Sequence, residues 1–106
     1  MKYSLRTHNL EVSDLDRQQM DEKLDRLEKH IQIPFVADVS LERHTLRSAG
    51  ETVTCIIRVE QGKQLFRSER SDSSLQTALD EAIDAIQKEL KKAHDKNKRH
   101  GGGVQR

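Results

Sequence analysis

The side chains of this 106-residue chain that could move a proton, attack a carbon or hold a metal are five histidines, one cysteine and eighteen carboxylates. His8, His30, His44, His94 and His100 are scattered among polar neighbours without paired ligand spacing, and a single cysteine cannot complete a zinc site. No metal and no cofactor is expected. Cys55 lies within TVTCIIRV, where it reads as a small inward strand residue, and no basic residue adjoins it to stabilise a thiolate. Asp14, Asp16, Asp21, Glu22, Asp25 and Glu28 interleave with Arg17, Lys23, Arg26 and Lys29, the pattern of a solvated helical face rather than of an acid–base pair. The glycines 101–103 follow a helix and precede no further element, so they form no phosphate loop. The chain is therefore not expected to be an enzyme, and no small-molecule substrate is implied.

The remaining chemistry is cationic. Lys23, Arg26 and Lys29 recur every three residues and drift slowly along one side of a helix, while Lys88, Lys92 and Lys96 recur every four, with Lys91 and Arg99 beside them. Either set alone is ordinary solvent-facing charge; on adjacent helices the two would form one phosphate-contacting surface. The charge distribution agrees. From Met1 to Gln87 there are 12 Lys and Arg against 16 Asp and Glu, a net −4; from Lys88 to Arg106 there are 7 against 2, a net +5, hidden within a whole-chain charge of +1. Such asymmetry favours a polyanionic partner. With three aromatic residues in the chain, a stacking platform for single-stranded bases is not expected, and recognition by backbone and shape, as of structured RNA, fits better.

These charges need a scaffold. Charged residues make up 35% of the chain and mean hydropathy is −0.87, yet the apolar residues are periodic, which predicts one folded domain over 1–100 and a flexible tail over 101–106. Lys2 to His8 alternates as a strand. Ser13 can cap a helix from Asp14 to about Ile31, with Leu15, Met20, Leu24, Leu27 and Ile31 as its apolar set, and Pro34 stops it. Phe35 to His44 and Glu51 to Glu60 read as strands, the latter with Val53, Cys55, Ile57 and Val59 inward. Gln61-Gly62 then turns the chain into a fourth strand, Lys63 to Ser71, in a register that sets Ile57 against Phe66 and Cys55 against Ser68. After a serine-rich bend, Leu75, Leu79, Ala82, Ile83, Ile86, Leu90 and Ala93 trace the apolar stripe of a long second helix. The order β-α-β-β-β-α makes an α+β fold, in which a right-handed crossover joins a parallel first pair, hairpins follow, and both helices cover one face of a four-stranded mixed sheet. No apolar run is long enough to span a membrane, and MKYSLRTHNL lacks the apolar core of a secretory signal, so a cytosolic protein is expected.

This order of elements, the segment KLDRLEKH (Lys23 to His30) and the segment DSSLQTALDEAIDAIQKELKK (Asp72 to Lys92) resemble the ribosome hibernation-promoting factors and ribosome-associated inhibitors, the sigma-54 modulation protein family. The resemblance covers Met1 to His100 and is to the short form, expected to lack the dimerising second domain of long members. It implies a cytosolic protein with a fold similar to double-stranded-RNA-binding domains. Such a protein binds the small ribosomal subunit between head and body, covers the region of messenger and transfer RNA, and idles or stores ribosomes under stress or in stationary phase. Lys23, Arg26, Lys29, Lys88 and Lys92 match the family's basic contacts; Lys91 and Lys96 join them on charge alone. Three positions depart from the pattern: Ala85 stands where a lysine is usual, Glu89 where a glutamine is, and Gln76 where an aromatic residue is. Glu89 is expected to weaken phosphate binding unless it pairs with Lys92 or Lys96. The protein is expected to be monomeric off the ribosome. The alternative reading is a diverged protein-interaction module on the same fold, for example one that modulates a transcription factor.

Overall fold

The computed structural model describes the backbone of residues 1–48 and 50–103, and side chains through residue 95 of that range. Six elements follow the expected order: β1 (Ser4–His8), α1 (Asp14–Glu28), β2 (Phe35–Leu46), β3 (Gly50–Gln61), β4 (Gln64–Asp72) and α2 (Leu75–Gly103). The strands lie side by side as β1-β2-β3-β4. β1 and β2 run parallel and the other neighbours antiparallel, as a crossover helix followed by hairpins requires.

One face of this sheet carries the core. Ala37, Val39 and Leu41 of β2 and Val53, Cys55, Ile57 and Val59 of β3 alternate inward and are buried. Against them pack Met20, Leu24 and Leu27 of α1 and Ala78, Leu79, Ala82, Ile86 and Leu90 of α2, all essentially inaccessible to solvent. Ala78 and Ala82 bring no bulk to the contact, so α2 lies close enough for Ser68 of β4 to donate its hydroxyl to the Ala82 carbonyl at 2.7 Å. Both helices begin at serine caps. Ser13 Oγ accepts from the Asp16 amide at 3.1 Å, and Ser74 Oγ from the Thr77 amide at 3.3 Å, each satisfying a donor that the first helical turn leaves free.

The structure departs from the sequence expectation at several points. α1 ends at Glu28 rather than near Ile31, because the His30 and Ile31 amides turn back onto the Leu27 and Glu28 carbonyls three residues earlier and tighten the last turn. Leu15 is 63% exposed and is no part of the apolar stripe. It precedes Met20 by five residues, which carries it roughly 140° round the helix at 3.6 residues per turn. The β3–β4 register is two residues from the predicted one: Val59 opposes Phe66, Ile57 opposes Ser68 and Cys55 opposes Arg70. Gln61 belongs to the strand, buried and accepting the Gln32 amide on its Oε1 at 2.8 Å, so the turn is Gly62-Lys63, with Gly62 at φ +60° in its first central position. A slip of two keeps every side chain on its own face, so Phe66 still points to the core. Finally, α2 continues through Gly103, past the predicted end of regular structure at Gly101; residues 104–106 of the expected tail lie outside the described residues.

Candidate nucleic-acid interface

Cys55 is fully buried, and burial pushes its thiol up to about 12, far from a reactive thiolate. Among the described residues, no three His, Cys, Asp or Glu side chains gather closely enough to hold a metal, and no helix is long and apolar enough to cross a membrane. Tyr3 is committed to structure: its hydroxyl donates to Asp21 at 2.6 Å, the Arg17 guanidinium lies 5.1 Å from its ring centre, and burial followed by the Asp21 contact raises its pKa to about 12.

The basic residues sort by what stands next to them. Lys29, just past the end of α1, and Lys91 of α2 line one hollow of about 270 Å³ together with His30, His94 and Asp95. Neither lysine has an ion-pair partner among the described residues, so this hollow holds two uncompensated ammonium groups and one carboxylate. Across α2, a larger hollow of about 1010 Å³ along β4 takes in Lys88 and Lys92, and Lys91 and Asp95 line both hollows. Its five cations face five carboxylates, and two of its lysines are paired within the helix: Lys88 with Asp84 at 3.1 Å, Lys92 with Glu89 at 3.5 Å. Glu89 thus pairs with Lys92, one of the two partners the sequence offered it.

Lys23 and Arg26 border a separate shallow hollow with Gln19, Glu22 and Gln76. Arg26 is exposed; Lys23 is turned toward α2, where it meets Asp80 at 2.8 Å. The fold therefore joins Lys29 to Lys91, groups Lys88 with Lys92 on the opposite side of α2, and holds Lys23 apart. The side chain of Lys96 lies outside the described residues. Two cations of the β4 hollow, Arg67 and Arg70, escaped the sequence reading. Arg70, opposite Cys55, sits on the helix side of the edge strand; the predicted register already placed it on that face, so the signal for it was in the sequence. His30 and His94 were dismissed as metal ligands, and their place beside two lysines depends on how the end of α1 meets the middle of α2.

A four-stranded mixed sheet in the order β-α-β-β-β-α, with both helices packed on one face, defines the class as a small α+β fold. Comparison with known proteins gives the particular family. Residues 3–98 match the model of the family described as sigma 54 modulation protein / S30EA ribosomal protein, and the chain belongs to that family. A search of the curated proteins finds no match. Among solved structures, the Protein Y N-terminal domain of Thermus thermophilus is similar with a TM-score of 0.70 and 28% identity, over 87% of this chain and 98% of that one. A ribosomal subunit interface protein from Coxiella burnetii shares the fold with a TM-score of 0.73 at 13% identity, over 90% of this chain and 99% of that one.

Proposed function

We propose that this protein is a ribosome-associated translation regulator, which binds the small ribosomal subunit through ribosomal RNA phosphates and occludes the region of messenger and transfer RNA during stress or stationary phase. The observation that carries the reading is the family match over residues 3–98, whose description includes a ribosomal protein. The exposed lysines on both sides of α2 supply a means: ammonium groups replace condensed counterions along an RNA backbone, and the released ions drive association. Repression then follows from occupancy alone, with no bond made or broken, no cofactor and no membrane. The protein acts in the cytoplasm and is monomeric when off the ribosome.

Sedimentation of ribosomal subunits with the protein at two salt concentrations tests this. Binding is expected to fall steeply as salt rises, and to be lost when Lys88 and Lys92 are both changed to Glu, which converts two phosphate contacts into two repulsions. Co-sedimentation indifferent to both treatments, or a partner that survives nuclease digestion in its place, would assign the fold to protein recognition instead.

A further inference from the structure

Lys23 has the spacing of a phosphate contact, but its surroundings differ from those of every other lysine whose side chain is described. Its Nζ stands 2.8 Å from Asp80 Oδ1 and donates to Gln76 Oε1 at 2.6 Å. Gln76 in turn donates Nε2 to Asp16 Oδ1 at 3.2 Å. These four side chains link α1 to the first turns of α2 across 53 and 60 residues of sequence. The Lys23 side chain is 23% exposed, against 71% for Lys88 and 78% for Lys92, whose ion pairs lie within a single helix and hold nothing together. Gln76, the link in the middle, uses both ends of its amide, the oxygen accepting from the Lys23 ammonium and the nitrogen donating to Asp16.

We infer that Lys23 is a positioning residue, which clasps α1 to α2 through Gln76 and Asp80 and so keeps Lys29 and Lys91 on one hollow, and that it does not itself touch RNA. The inference rests on the ribosomal reading and refines it. To reach a phosphate the ammonium would surrender two good partners and leave Asp80 facing the RNA with its charge exposed, so the exchange brings little net attraction. Held where it is, Lys23 neutralises Asp80 and fixes the angle at which the two helices present their other cations.

The test pairs two measurements on the whole chain. Affinity for small ribosomal subunits is titrated against salt for the wild type, Lys23→Met, Asp80→Asn and the double variant; thermal unfolding of the same four proteins is followed without ribosomes. A clasp predicts that each single variant binds about 3-fold more weakly, that the double variant binds no worse than either, and that the slope of log K against log salt is unchanged throughout. It also predicts that Tm falls by about 3 °C in each single variant and by about the same in the double. A direct phosphate contact predicts instead a slope smaller by about 0.7 to 0.9 in Lys23→Met and tighter binding in Asp80→Asn, and that pair of results would overturn the inference. Additive Tm losses would overturn it as well. If the wild type shows no salt-dependent binding, the functional reading falls, while the unfolding data still report whether the clasp exists.

Discussion

On the side of α2 that faces α1, Lys91 meets Lys29 across a hollow with one carboxylate, Asp95; on the side that faces β4, Lys88 and Lys92 stand with Arg67, Arg70 and the shared Lys91 among five carboxylates, Asp95 again among them. Side chains of the same kind, at similar spacing on one helix, thus sit in opposite electrostatic settings. The number of cations does not set the potential at a surface; what counts is how many of them lack a neighbour of opposite sign. A lysine already paired within its helix exchanges one anion for another when it meets a phosphate, and gains less. Exposed pairs of this kind are worth about 0–1 kcal/mol, so pairing dulls the contact without abolishing it.

The most severe way to break the comparison is to unseat the helix that both hollows share. Ile86 is fully buried beneath α2, between the turns that carry Ala82 and Leu90. Ile86→Ala removes packing and leaves a cavity, at a cost of about 2–5 kcal/mol, read as a lower midpoint in urea unfolding. Ribosome binding is expected to weaken at both hollows together, because neither retains a fixed wall. Wild-type affinity in a protein so destabilised would mean that binding does not depend on how α2 is held.

A smaller and more informative effect comes from neutralising the hollows one at a time. Lys29→Gln with Lys91→Gln is expected to lower affinity for the small subunit about 10-fold and to reduce the salt slope by about 1.5, the loss of two uncompensated contacts. Lys88→Gln with Lys92→Gln removes the same formal charge from paired positions and should cost about 3-fold. Equal losses from the two pairs would show that the local carboxylates give way freely to RNA, and the contrast between the hollows would have no functional meaning.

How much of this contrast can be read in the chain follows from the range of the interactions involved. The alternation of Ala37, Val39 and Leu41 and the periodicity of Leu79, Ala82, Ile86 and Leu90 are local signals, and the sheet face and helix stripe they predict are the ones observed. The family resemblance drawn from residues 23–30 and 72–92 is likewise upheld by the match over 3–98. Where the reading strayed, the deciding contact lay far off in sequence. Gln61 looks like a turn residue until its side chain is seen holding the Gln32 amide, and that bond moves the β4 register by two. Lys23 looks like its neighbours Arg26 and Lys29 until Asp80 and Gln76 come to it from another helix. Leu15 was an error of angle rather than range, since counting five residues back from Met20 already places it off the stripe. The pairing of Lys92 was a local signal, Glu89 standing three residues before it, whereas Lys91 also has a carboxylate, Asp95, four residues on and makes no ion pair among the described residues.

Glu89 allows the finest adjustment. It lies on the β4 side and holds Lys92 at 3.5 Å. Glu89→Gln keeps the shape of the side chain while releasing Lys92 and removing one of the five carboxylates around it. The β4 hollow then acquires a net positive charge, as its counterpart across α2 already has. Affinity for the small subunit is expected to rise about 2- to 3-fold, with a salt slope slightly steeper than that of the wild type, since Lys92 now releases a counterion it formerly did not need. The gain should vanish in a Lys92→Gln background, because the carboxylate acts through that lysine. Binding unchanged by Glu89→Gln, or raised equally with Lys92 absent, would place the β4 side outside the interface and leave the hollow between the helices to carry the RNA contact alone.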